Sequence, residues 1–233
     1  CTYPKNFSPY LRPIRNQLQL ECPCELGDPM PYVFWDKAYW PGGENKPLRF
    51  ADLHCKQDVS VIIVMFGTNW CGACTSFIQR MSELSDQLAA AGAEIMFVEI
   101  EDYAHEECTT EEAQDHISRH IGEAVGYRVG DADSRPGNGN YFTNAGLVSS
   151  YPTVAVIRRR DMRVIADNST GAGSLDLVQV ALDPERDWTV PVKPEVVSRC
   201  GGQEESSEPN NDPETAAPLE VGTLQGGICD AEP

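Results

Sequence analysis

Apolar residues fall along this chain in short blocks whose period changes from one block to the next. Val61-Ile62-Ile63-Val64-Met65-Phe66 is an unbroken apolar run, the pattern of a strand buried on both faces. Directly after it, Cys74, Phe77, Ile78, Met81, Leu84 and Leu88 recur at three- and four-residue spacing. That spacing predicts an amphipathic helix from 72 to about 91, ended by Gly92. Ile95 to Ile100 predicts a second, largely buried strand. Thr109-Thr110-Glu111-Glu112 has the capping-box pattern and opens a helix running to about Ala124. Thr153 to Arg160 and Arg163 to Asp167 predict a strand hairpin, and Ser174 to Leu182 a last short helix. Upstream, Tyr32 to Asp36 and Pro47 to Phe50 predict two short strands around the turn-rich Pro41-Gly42-Gly43-Glu44-Asn45. The Gly/Asn-rich stretch from Asp131 to Asn140 reads as a loop. Strands alternating with helices and ending in a hairpin predict an α/β sandwich.

Both ends differ from this middle. Residues 1–26 are rich in Pro, Asn and Arg, and read as an extended segment ending in the Cys22/Cys24 pair. From Asp183 onward prolines break the chain and acidic residues dominate between Gln203 and Glu220. Such a composition buries little apolar surface and predicts a linker or an incomplete β module. The stretch from Glu208 to Leu219 is similar to the opening of pre-peptidase C-terminal β-sandwich domains. The chain thus divides into 1–26, a folded 27–182, and 183–233.

Composition narrows the function. At 233 residues and 41% hydrophobic content the chain can bury a sizeable core, and no run reaches the length of a membrane helix. A net charge of −18 argues against nucleic-acid binding, which needs basic patches. Arg158-Arg159-Arg160, followed by Asp161, reads as a hairpin turn rather than a phosphate groove. Nine cysteines point to an oxidising compartment. With Cys1 set aside, eight remain for four bridges, with Cys22 and Cys24 reaching to Cys55 or Cys108 among the alternatives and Cys200 and Cys229 bracketing the tail. Cys1 as first residue resembles the acylated cysteine of mature bacterial lipoproteins, which predicts a lipid anchor there.

The chemistry concentrates in Trp70-Cys71-Gly72-Ala73-Cys74, between the central strand and the helix that follows. Backbone N–H groups at a helix start lack helical partners, and the dipole favours negative charge there. A thiol at Cys71 therefore loses its proton more easily, and the thiolate is the form that attacks disulfides. Cys74, one turn later on the same face, is placed to resolve a mixed disulfide. The competing readings are a static bridge and half of a zinc site. For zinc, no second CxxC is present, and Cys22-Pro23-Cys24 has the wrong spacing. His116, His120 and Glu112 share one helical face with metal-ligand spacing, but the stripe Ala113, Ile117, Ile121 and Ala124 beside them makes a solvated face the expectation, and no metal site is assigned.

Trp70–Cys74, the leader from Gly27 to Leu53, and Tyr151-Pro152-Thr153 before a strand together resemble the thioredoxin superfamily, within it the extracytoplasmic TlpA-like or AhpC/TSA-like branch. The resemblance covers residues 27–182 and implies a three-layer α/β/α sandwich with a central mixed sheet. It implies a thiol–disulfide oxidoreductase with Cys71 and Cys74 as its catalytic pair. It also makes Pro152 a cis proline, Tyr151 a substrate-contacting residue, and Trp70 a lid on the disulfide. No cofactor beyond the Cys71–Cys74 pair is implied. The partners would be protein thiols and disulfides with an electron donor or acceptor, outside the cytoplasm in periplasm or cell envelope. A reductase fed by a membrane donor fits the branch better than an oxidase.

Three departures qualify the resemblance. Ala73 replaces the proline common between the two cysteines, which leaves the redox direction open. Met65 stands where the family carries a buried acid, so Cys74 needs another base or water. Glu99 and Glu101 are candidates, though a solvated strand end is the expected role of each. Thr68 precedes Cys71 by three as in peroxiredoxins, but their upstream proline is missing. The alternative function is a cell-surface interaction protein that keeps the pair as a static bridge.

Overall fold

The computed structural model describes residues 26–135, 139–145, 148, 150–167 and 175–188, together with the backbone of 11–14 and 17–20. In chain order come strands β1 (Leu11–Ile14), β2 (Gln17–Leu20), β3 (Phe34–Tyr39) and β4 (Asn45–Arg49), then helix α1 (Phe50–His54). The middle holds β5 (Val61–Thr68), α2 (Gly72–Glu83), α3 (Ser85–Ala90), β6 (Ala93–Glu101), α4 (Thr110–Ile121) and β7 (Tyr127–Gly130). After these follow β8 (Ser134–Arg135), α5 (Tyr141–Ala145), β9 (Thr153–Arg158), β10 (Arg163–Asp167) and α6 (Leu177–Leu182).

Among the described residues one eight-stranded mixed sheet runs β10-β9-β5-β6-β7-β3-β4, with β8 pairing to β3. Strands β5, β6 and β7 are mutually parallel, while β9 lies antiparallel to β5. Every residue of β5 is buried, which is why its sequence is apolar without alternation. Its side chains divide between two cores. Ile62, Val64 and Phe66 pack with Trp35, Phe50 and Phe142 on the face covered by α1 and α5. Val61, Ile63 and Met65 pack with Ile78, Leu88, Ile117 and Val180 on the face covered by α2, α3, α4 and α6. The result is the three-layer sandwich with a mixed central sheet that the resemblance implies.

Several expectations are refined. The single helix from 72 to about 91 is two, because the turn closes at Leu84 and Ser85 Oγ bonds back to the Ser82 carbonyl at 2.7 Å. The capping box at Thr109 is formed, its hydroxyl accepting from Glu112 N–H and Glu112 reaching back to the Thr109 N–H. Strand β7 escapes the sequence reading because Arg128 sits at its centre. That arginine is fully buried, and its guanidinium donates to the Glu123 carbonyl at 2.8 Å and the Trp40 carbonyl at 2.7 Å. The 131–140 stretch contains a short helical turn (Asp131–Asp133) and leads into α5. Buried Asp131 accepts from the N–H groups of Phe142 at 3.1 Å and Thr143 at 2.9 Å, satisfying donors at the start of α5. Within 1–26, β1 and β2 pair as an antiparallel ribbon that the composition did not predict.

The cysteines depart from the expectation of four bridges. Cys108 is a free, fully buried thiol. Cys55 is disulfide-bonded, with its partner outside the described residues. Cys1, Cys22, Cys24, Cys200 and Cys229 also lie outside them, as do the lipid anchor expected at Cys1 and nearly all of the acidic tail. Among the described residues no helix is long and apolar enough to cross a membrane.

Candidate functional site

The site grows from the junction of β5 and α2. Cys71 is the N-cap of α2, with extended backbone at φ −85° and ψ 104°. Its sulfur accepts the Cys74 N–H at 3.1 Å, so it takes one of the helix-start donors directly. The two cysteines are joined as a disulfide with Cα atoms 5.2 Å apart. They are not equivalent: Cys71 is 8% exposed, whereas Cys74 is 0% exposed. An incoming sulfur meets Cys71 first. Gly67 makes room behind the pair, since a Cβ there would lie 3.5 Å from the Cys74 sulfur and 2.8 Å from Met65 Cε.

Two further sequence-selected residues, Trp70 and Tyr151, meet beside Cys71. Trp70 is 42% exposed, an unusual position for an indole. Its ring stands edge-on to Tyr151 at 5.9 Å and lies 4.7 Å from His105. The Tyr151–Pro152 bond is cis, as the resemblance implies. Tyr151 itself packs against the core that contains Cys71 and Cys74. Burial, then the nearby Glu101 carboxylate, pushes its phenol up to about 12, so the O–H remains a donor.

Glu99 corrects the expectation of a solvated strand end. It is 1% exposed, on the face of β6 that carries Ile95 and Phe97 and beside Gly67 in register. The solvated face expected of α4 is corrected with it at His116, while His120 is exposed. His116 is also 1% exposed, and its Nδ1 lies 3.3 Å from Glu99 Oε1. Glu99 Oε2 and His116 Nε2 are buried with no hydrogen-bond partner among the described residues. Desolvation pushes the Glu99 carboxyl above its ordinary range, against the lowering pull of His116. Cys108 lines the same core, its sulfur 3.9 Å from Asn69 Oδ1, and burial with the Glu99 and Glu112 carboxylates pushes this thiol up. Buried and held toward its protonated form, it has the environment of a structural thiol. The missed signal was spacing: His116 is three residues from Ala113 and adjacent to Ile117, at the edge of the core stripe.

The metal-spaced trio does not converge. Glu112 is engaged by the Thr109 N–H and hydroxyl, and His120 is exposed with its ring 5.0 Å from that of His116. Among the described residues no group of three or more His, Cys, Asp or Glu is arranged to hold a metal ion.

No family model matches the chain. No curated protein matches it either. Solved structures do. Thioredoxin peroxidase I of Plasmodium yoelii aligns with a TM-score of 0.50 at 10% identity, over 72% of this chain and 97% of its own. A thiol:disulfide interchange protein from Bacteroides sp. aligns at 0.46 and 12% identity, over 69% of this chain and 90% of that one. AhpC of Enterococcus faecalis gives 0.45 at 14%, over 61% and 78%. Identities this low speak to architecture and not to activity. In architecture, the chain has the thioredoxin fold.

Proposed function

We propose that the chain is a thiol–disulfide oxidoreductase acting on protein disulfides. The observation that carries this reading is Cys71 at the N-cap of α2, accepting the Cys74 N–H while bonded to the Cys74 sulfur. A sulfur so placed is stabilised as thiolate when the bridge opens. In the reducing direction, the Cys71 thiolate attacks a substrate disulfide. A Cys71–substrate bond forms, and the other substrate sulfur leaves and takes a proton. Cys74 then loses its proton, attacks the Cys71 sulfur and reforms the internal disulfide, releasing the second substrate thiol. The dithiol has given two electrons and two protons to the substrate, and an external thiol donor restores it.

Trp70, which precedes Cys71 and meets the Tyr151 ring at 5.9 Å, is proposed with Tyr151 and Pro152 as the substrate-contacting residues. We place the protein outside the cytoplasm, in periplasm or envelope, on the strength of its nine cysteines and the disulfide at Cys55. Reduction is favoured as the direction, with a membrane-linked donor.

Insulin reduction driven by dithiothreitol tests the reading. The protein is expected to accelerate precipitation of the insulin B chain well above the dithiothreitol background. A rate equal to background, with the protein folded and its Cys71–Cys74 pair reduced, would leave the static-bridge reading in its place.

A further inference from the structure

Glu101, the last residue of β6, stands between Trp70 and Tyr151. Its Oε2 accepts from Trp70 Nε1–H at 2.9 Å and lies 3.6 Å from His105 Nδ1. Its Oε1 accepts from the Tyr151 hydroxyl at 3.4 Å. Its carbonyl accepts the Asn69 N–H at 3.0 Å. One residue thus ties the segment leading into Cys71 to the segment leading into Pro152. Left untied, an indole 42% exposed would sample several rotamers and have to be ordered on every binding event.

The loop after Glu101 is built to the same end. Asp102 Oδ1 accepts from the N–H groups of Ala104 at 2.8 Å and Glu106 at 2.9 Å, and the Asp102 N–H donates to the Glu106 carbonyl at 2.9 Å. The tight turn holds His105 at φ 62°, a left-handed conformation that few non-glycine residues adopt. There its ring lies 4.7 Å from the indole, tilted by 42°, while the Tyr151 ring meets the indole edge-on at 5.9 Å. A left-handed residue whose side chain packs beside the exposed indole next to Cys71 points to function.

Resting on the oxidoreductase reading, we propose that Glu101 and His105 are positioning residues that fix Trp70 and Tyr151 as walls of a groove for an extended polypeptide. The site then favours disulfides carried in protein chains over small ones. A small disulfide needs only the Cys71 sulfur and gains nothing from the walls. A polypeptide touches both, and their pre-ordering lowers the cost of binding it.

The test compares insulin with hydroxyethyl disulfide as substrates for the full chain, wild type against Glu101→Ala, Glu101→Gln and His105→Ala. The ratio of kcat/KM for insulin to that for hydroxyethyl disulfide is expected to fall about tenfold in Glu101→Ala, through KM for insulin. Glu101→Gln keeps an acceptor for Trp70 and should recover most of that ratio. His105→Ala, an exposed change that leaves the core untouched, should lower it about threefold. An unchanged ratio in both Glu101→Ala and His105→Ala would overturn the proposal, as would equal losses on both substrates. A wild-type protein that reduces neither substrate would instead remove the oxidoreductase reading, and this inference with it.

Discussion

Replacing Cys74 by serine will yield a protein that attacks a disulfide and cannot release it. Incubated reduced with insulin, this variant should accumulate a covalent adduct through Cys71, cleared by dithiothreitol and absent from Cys71→Ser. The expectation follows from the asymmetry of the pair. Cys71 is the sulfur with access to solvent and the helix-start N–H, while Cys74 is wholly buried behind it. Release requires the buried sulfur to attack, so removing it stops the cycle at the mixed disulfide. Cys71→Ser removes the first step, and turnover on insulin should fall on the order of a hundredfold or more. Mass spectrometry of the trapped adduct assigns the sulfur. An adduct at Cys108 would contradict the reading of that thiol as structural, and an adduct in Cys71→Ser would exclude Cys71 as the nucleophile.

The second large effect concerns stability. His116→Ala leaves Glu99 in the core without its imidazole, and breaking a buried pair this way costs about 3 kcal/mol or more. The cost should depend on pH. Glu99 has a folded-state pKa raised above its unfolded value by burial. The stability linked to its protonation is therefore complete below the ordinary carboxylate range and is lost as pH rises through the folded value. Removing His116 removes the interaction that pulls that value down. The variant should thus lose more in mildly alkaline than in mildly acidic buffer, since acid returns the proton that burial favours on Glu99. Replacing both residues by leucine should restore stability to within about 1–2 kcal/mol of the parent, since neither group is left unpaired. Urea unfolding at the two pH values measures all three. An equal loss at both pH values would mean that Glu99 is not ionised in the folded protein.

The residues that report the fold from sequence are those whose environment is uniform along an element. The run Val61 to Phe66 is apolar because both faces of β5 are covered, and Thr109 to Glu112 closes on itself within four residues. The Cys71–Cys74 pair at the start of α2 is legible for the same reason: strand, turn and helix start are local. What sequence did not disclose depends on distant partners. Arg128 occupies the centre of a buried strand because carbonyls of Trp40 and Glu123 receive it. Glu99 and His116 are polar residues on different elements that bury each other, and neither alone distinguishes a core position from a wet one. Glu101 reads as an acidic strand end until Trp70, Tyr151 and His105 are seen to converge on it.

The central claim is that Cys71 is an activated nucleophile. Its most direct test is the pH dependence of alkylation at Cys71 in the reduced protein, followed residue by residue with iodoacetamide and mass spectrometry. The account predicts that Cys71 reacts rapidly at a pH where an ordinary thiol, with a pKa of about 8.5, is still protonated, while Cys74 and Cys108 remain unmodified. A Cys71 that reacts no faster than a free thiol at every pH would contradict it.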